Sequence, residues 1–224
     1  MNAAGIDLVL FDLDGTLADT APDLAAAANR QRAQRGLAPL PVEQLRPMAS
    51  HGARGLVGLA LGLAPGDPDY EAARLEFLDF YEQALCVQTR LFAGMAETLD
   101  GIESEGRRWG VVTNKARRFT EPLVEQLGLG RRAACVVSGD TTAHAKPHPA
   151  PIRHALEACA VAPTRAVYVG DDLRDIQAGR AAGVATVVAA YGYLGIDADV
   201  GKWGSDHVID APQQLLGFIG PRLR

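Results

Sequence analysis

The sequence predicts a doubly wound α/β fold, a parallel sheet covered on both faces by helices, with a block of helices inserted after the first strand. Three observations carry this expectation. Residues 6–11 are nearly all apolar, as in a strand buried on both faces. From Leu91 onward, short apolar runs alternate with segments of helical period, joined by short connections, which is the pattern of a parallel sheet. Between Asp19 and Cys86 nothing reads as a strand. The expected layout is an α/β core of residues 1–17 and 87–224 and a helical cap of residues 18–86.

Within the cap, Thr20 or Ala21 is placed to cap a helix whose first turn holds Pro22 and Asp23, and Gly36 ends it. Two shorter helical segments follow, at about 42–48 and 54–61. The clearest helix covers 68–85, where Tyr70, Ala73, Phe77, Phe80, Tyr81 and Ala84 fall on one stripe. In the core, helices are marked by Met95, Leu99 and Ile102, by Phe119, Leu123, Val124 and Leu127, and by Ile152, Ala155, Leu156 and Cys159. Further helices are expected at 176–182 and 212–218. The strands are expected at 109–112, 134–137, 166–169, 185–188 and 208–209.

Bulk composition narrows the function classes. With 22 Lys and Arg against 27 Asp and Glu, the net charge is -5, so no basic field exists to neutralise nucleic-acid phosphates. The pairs Arg107-Arg108, Arg117-Arg118 and Arg131-Arg132 read as solvated surface. Cys86, Cys135 and Cys159 lie far apart, which disfavours a disulfide framework or a cysteine metal cluster. The longest uncharged apolar stretch, 184–196, is too short for a bilayer, which takes about 20 residues. No signal peptide is recognised, and a cytoplasmic monomer or homodimer is expected. His144 and His148 are four apart, but Pro147 breaks any helix between them, so no metal role is expected there. Gly52, Gly55, Gly58 and Gly62 follow no strand and read as close-packing residues rather than a nucleotide loop.

The chemistry lies at the strand ends, where ligands bind in open parallel sheets. The first strand delivers Asp12 and Asp14, and two carboxylates that close repel unless a cation or proton sits between them. The second strand delivers Thr113 and Asn114. The fourth delivers Asp171 and Asp172, with Asp175 one turn further on. Lys146 lies in the loop after the third. Oxygen ligands without His or Cys select a hard cation, and Mg2+ is the expected one. Lys146 is a second positive charge, and Thr113 with the following backbone N–H groups suits phosphate oxygens. The set suggests phosphoryl transfer on a small-molecule phosphate ester, a reaction that needs positioning and charge neutralisation. Arg54, near a helix start in Ser50-His51-Gly52-Ala53-Arg54, is a candidate to pair with a substrate carboxylate.

These residues resemble the four motifs of the haloacid dehalogenase superfamily: Asp12-Leu13-Asp14-Gly15-Thr16, then Thr113-Asn114-Lys115, then Lys146-Pro147, then Gly170-Asp171-Asp172 with Asp175. All four occur in order, and the likeness covers essentially the whole chain. Within the superfamily the chain resembles the phosphoglycolate phosphatases. Ser50 to Arg54, the run from Val169 to Ile176, Tyr191-Gly192-Tyr193 and Trp203-Gly204 look closer to the N-acetylmuramic acid 6-phosphate phosphatases.

The resemblance implies a Rossmann-type core and a phosphatase mechanism. Asp12 would attack phosphorus to give an aspartyl phosphate. Asp14, its side chain free, would protonate the leaving alkoxide and then take a proton from water. Magnesium would be held by Asp12, the backbone carbonyl of Asp14, and Asp171. Thr113 and Asn114 would hold phosphate oxygens, Lys146 would neutralise charge, and Asp175 would act through water or orient Lys146. Asp172 stands where many relatives carry Ser. The implied substrate is 2-phosphoglycolate or N-acetylmuramic acid 6-phosphate. A phosphomutase of the same superfamily and a receiver-like phosphoaspartate domain are the alternatives; Asp14 argues against a dehalogenase, and Asp14 with the cap against a receiver.

Overall fold

A computed structural model describes residues 5–196 and 198–221. The chain runs β1 (Leu8–Phe11), β2 (Ala18–Asp19), α1 (Ala21–Gln34), α2 (Val42–Leu45), a 3-10 turn at Arg46–His51, α3 (Gly52–Leu61) and α4 (Tyr70–Gln83). It continues through β3 (Arg90–Leu91), α5 (Met95–Ser104), β4 (Arg108–Val112), α6 (Arg117–Gln126), β5 (Val136–Val137) and α7 (Ala150–Cys159). The last elements are β6 (Ala166–Gly170), α8 (Leu173–Ala182), β7 (Ala185–Ala189), β8 (His207–Ile209) and α9 (Gln214–Ile219).

Six strands form one parallel sheet in the order β5-β4-β1-β6-β7-β8. Numbered within the sheet alone, that is 3-2-1-4-5-6, the doubly wound order whose switch point falls between the first and fourth strands, here β1 and β6. All four residues of β1 are fully buried. Because side chains alternate along a strand, Val9 and Phe11 pack with Trp109, Val111, Val167 and Val169 on one face. Leu8 and Leu10 pack with Val112, Ile152 and Tyr168 on the other. Two buried faces explain the unbroken apolar run.

The inserted helices have their own core, built from Leu24, Leu45, Leu56, Val57, Phe77 and Tyr81, with Phe119 and Tyr193 contributed by the α/β part. The α4 stripe is buried at Tyr70, Ala73, Phe77, Phe80 and Tyr81; Ala84 lies just past the helix end and is half-buried. Among the described residues no helix is long and apolar enough to cross a membrane.

Three local features depart from the sequence expectation. The segment at 42–48 divides at Arg46, where Pro47 opens a 3-10 turn. The strand at 134–137 narrows to β5, although Ala134 and Cys135 still exchange bonds with β4 (Ala134 N to Trp109 O 2.7 Å, Val111 N to Cys135 O 2.9 Å). A two-stranded antiparallel ladder, β2 with β3, joins the chain where it leaves the α/β part and where it returns. Two residues per strand leave no period to read.

Candidate active site

The sheet's switch point gathers the acidic residues. The Asp12 N–H continues the β1 ladder by donating to Val169 O at 2.9 Å, which fixes the carboxylate at the strand tip. Asp171 leaves the end of β6, and Asp175 sits in the first turn of α8. One carboxylate oxygen from each of Asp12, Asp171 and Asp175 lies within 4.8 Å of the others. Lys146 reaches this cluster through a buried side chain. Its Nζ stands 2.7 Å from Asp175 Oδ1 and 3.0 Å from Asp12 Oδ1. It also donates to Tyr168 Oη at 2.7 Å and Val112 O at 3.1 Å.

Each neighbouring residue type has a local reason. Asp171 accepts from Thr16 Oγ1 (2.8 Å), the Tyr193 N–H (2.9 Å) and Ser50 Oγ (3.3 Å), so the inserted helices touch it directly. Gly15 passes so close that a Cβ there would fall 2.1 Å from Asp171 Oδ2, and its φ of +82° disfavours any side chain. Asp172 and Asp175 form a capping box on α8. Asp175 therefore spends Oδ1 on Lys146 and Oδ2 on the Asp172 N–H.

Burial sets the electrostatics. It holds the Asp171 carboxyl well above the ordinary range, with the charges of Asp12 and Asp175 adding to the effect. Asp12 is pushed up to about 6, by burial first, with Lys146 opposing and Asp175 and Asp14 reinforcing. Burial works against the Lys146 ammonium, but Asp12 and Asp175 more than offset it and raise its pKa. Fully ionised, three carboxylates facing one ammonium would leave two negative charges uncompensated in a buried place. An all-oxygen donor set with that deficit fits a hard divalent cation.

Asp14 is engaged rather than free. It accepts from Lys115 Nζ at 2.9 and 3.2 Å and from Thr20 Oγ1 at 2.5 Å. Lys115 in turn lies over the Tyr81 ring from α4, 4.5 Å from its centroid. Lys115 has no role in the sequence expectation; its position one residue after Asn114 is the signal that marks it. Thr113 is buried at the end of β4, and its Oγ1 accepts the Lys115 N–H at 3.2 Å. Asn114 is turned to another job. Its carboxamide exchanges two 2.9 Å bonds with the backbone N–H and C=O of Lys146, pinning the lysine loop.

These groups open onto a cleft of about 390 Å³ between the two parts of the chain. Asp12, Asp14, Thr113, Asn114, Lys115 and Lys146 line its floor, and Leu24, Phe77, Leu78, Tyr81 and Phe119 supply an apolar wall. Arg54 does not line the cleft and is exposed on α3; the arginines there are Arg74, Arg118 and Arg174. Asp172 grips Arg174 with both oxygens at 2.8 Å, and Arg174 donates to the Ser50 carbonyl at 2.7 Å. Arg174, held by Asp172, thus ties α8 to the inserted helices, while Asp175 stands in the acidic cluster. Tyr193, from Tyr191-Gly192-Tyr193, is a second tie. Its Oη accepts the N–H groups of Thr20 (2.7 Å) and Ala21 (2.8 Å) at the start of α1, and donates to Asp19 Oδ1 at 3.0 Å. Away from the cleft, the exposed rings of His144 and His148 meet with centroids 4.4 Å apart although no helix joins them.

Comparison with known proteins agrees with this geometry. The family model of haloacid dehalogenase-like hydrolases matches residues 9–189. The N-acetylmuramic acid 6-phosphate phosphatase of Pseudomonas aeruginosa is 41% identical over 219 residues, covering 98% of this chain and 97% of that protein. A phosphoglycolate phosphatase of Xanthomonas campestris pv. campestris is 44% identical, covering 92% of this chain and 93% of that one. The crystal structure of a predicted phosphoglycolate phosphatase from Haemophilus somnus superposes with a TM-score of 0.85 at 26% identity, covering 97% of this chain and 99% of that one. With a matching motif set, sheet order and sequence over nearly its full length, the chain belongs to the family of haloacid dehalogenase-like hydrolases.

Proposed function

We propose that the protein is a magnesium-dependent phosphatase for the phosphate monoester of a carboxylated sugar, with N-acetylmuramic acid 6-phosphate favoured over 2-phosphoglycolate. The observation that carries the choice is the cleft. Its volume of about 390 Å³ and its wall of Leu24, Phe77, Leu78, Tyr81 and Phe119 offer apolar surface that 2-phosphoglycolate, with a single methylene, cannot use. An acetylated, lactyl-substituted sugar presents methyl groups to such a wall. Relatives over 40% identical carry both names.

In this reading Asp12 attacks phosphorus. A bond forms between its carboxylate oxygen and phosphorus while the ester P–O bond breaks. Asp14 gives a proton to the departing sugar oxygen, then takes one from the water that hydrolyses the aspartyl phosphate. Lys146, fixed by Asp175 and Tyr168, neutralises charge as the nucleophile meets an anionic phosphate. A divalent cation held by Asp12, the Asp14 backbone carbonyl and Asp171, with Asp175 beside them, would supply the remaining positive charge. Thr113 and backbone N–H groups at the start of α6 suit the phosphate oxygens. A cytoplasmic metabolic role fits the net charge of -5, which offers nothing to nucleic acid.

The test compares kcat/KM for the two esters with Mg2+ present. A preference of about a hundredfold for the sugar phosphate, roughly 2.7 kcal/mol of transition-state binding, supports the reading. A preference for 2-phosphoglycolate overturns the substrate. Substantial turnover of p-nitrophenyl phosphate by a folded Asp12→Asn variant overturns the nucleophile.

A further inference from the structure

We infer that Arg118, on the α/β part of the chain, recognises the carboxylate of the substrate. The inference deepens the phosphatase reading and rests on it. It comes from asking which of the Lys and Arg side chains lining the cleft has hydrogen-bonding capacity to spare. Lys146 is committed to Asp175 and Asp12, and Lys115 to Asp14. Arg74 is held bidentately by Glu71 at 2.9 and 2.6 Å. Arg174 is held bidentately by Asp172 and spends a further donor on Ser50 O. The Arg118 guanidinium makes no hydrogen bond among the described residues, and its nearest ion-pair contact is Glu82 Oε2 at 3.9 Å. A guanidinium has five N–H donors in a planar fork that matches a carboxylate, and Arg118 lines the cleft with those donors unspent.

Two features prepare Arg118 for the role. Its guanidinium lies 4.4 Å from the centroid of the Phe119 ring, a cation–π contact that uses no donor. Its place, two residues after the helix cap Ala116, puts it in the first turn of α6, directly after the β4–α6 connection that carries Thr113. The phosphate end and the carboxylate end of a substrate would then be measured against one rigid element. The neighbouring Arg117 pairs with Glu121 at 3.1 Å and does not line the cleft, so the Arg117-Arg118 pair divides into a surface residue and a cleft residue.

The experiment crosses two enzymes with two substrates in the presence of Mg2+. Wild type and Arg118→Gln are assayed on N-acetylmuramic acid 6-phosphate and on N-acetylglucosamine 6-phosphate, which lacks the lactyl carboxylate. Wild type is expected to prefer the carboxylated ester. Arg118→Gln should lose roughly 10- to 100-fold in kcat/KM on that ester, chiefly through KM. It should keep wild-type turnover of the uncarboxylated sugar and of p-nitrophenyl phosphate, with an unchanged unfolding midpoint. Arg117→Gln should match wild type on all three. A wild-type preference that survives Arg118→Gln overturns the assignment to Arg118 alone. An equal loss on both sugars also overturns it, since the residue would then serve something other than the carboxylate. A wild type with no preference for the carboxylated sugar overturns both the substrate reading and this inference.

Discussion

Replacing Asp12 with asparagine is expected to stabilise the metal-free protein while abolishing its turnover. Burial, reinforced by Asp175 and Asp14 and opposed by Lys146, raises Asp12 from 3.8 to about 6. An acid whose pKa is higher in the folded state binds its proton more tightly there than in the unfolded chain. Below pH 3.8 the ionisation penalty is absent, between 3.8 and about 6 it grows, and above that it is complete. The gap converts to about 3 kcal/mol. Asparagine keeps the Oδ1 acceptor for the Leu13 N–H, now at 2.7 Å, and removes the charge. Lys146 loses one partner and retains Asp175, Tyr168 and Val112, so about 3 kcal/mol is the ceiling. For a chain of this length that is a rise in Tm of roughly 6–12 °C. The assay is thermal unfolding of both proteins in EDTA at pH 4 and pH 7.5, then at pH 7.5 with Mg2+. The gap should be full at pH 7.5, much smaller near pH 4, and reduced by Mg2+ through the proposed cation site. Equal midpoints at pH 7.5 in EDTA, or the same gap at both pH values, would refute the reasoning that the cluster carries excess negative charge.

Other perturbations test separate parts of the site. EDTA should remove phosphatase activity and Mg2+ restore it; activity indifferent to chelation contradicts the cation. Gly15→Ala places a Cβ 2.1 Å from Asp171 Oδ2 at a φ of +82°, and should lower kcat/KM more than a hundredfold along with Tm; near-wild-type turnover would contradict it. Lys115→Met removes the contact that positions Asp14 and should cost about 10- to 100-fold on a sugar phosphate, whose alkoxide needs a correctly placed proton donor. It should cost far less on p-nitrophenyl phosphate, whose phenolate leaves unaided, and equal losses would count against it. Tyr193→Phe strips the N–H groups of Thr20 and Ala21 of their acceptor and should cost about 1–3 kcal/mol. Unchanged stability and unchanged amide exchange at those two positions would count against that tie.

What the sequence made legible followed from period and spacing. The unbroken run before Asp12 announced a strand buried on both faces, and the alternation after Leu91 announced the sheet. Residues at the ends of β1, β4 and β6 had to meet once the strands were parallel, which brought Asp12, Thr113 and Asp171 together. Other features depended on distances the sequence does not encode. The β2–β3 ladder is too short to have a period. Tyr193 reaches back 173 residues to Thr20, and no local pattern records that. Arg54 and Arg118 look alike in a sequence, each near a helix start beside small or apolar residues. Which of them meets the cleft is decided by how α3 and α6 pack.

Asp12 and Asp14 began as one puzzle, two carboxylates sharing a strand tip, but each has its own ammonium. Lys115 pairs with Asp14 and, among the described residues, with no other carboxylate. Lys146 must serve Asp12 and Asp175 together, while Asp171 has only hydroxyl and amide donors. The charge deficit therefore falls on the Asp12 side alone. A cation drawn to that side would have no reason to compete for the Asp14 carboxylate, which is left to Lys115 and Thr20 and, on the proposed reading, to proton transfer. Two residues of separation, with a lysine supplied from each of two loops, are enough to give adjacent acids different partners.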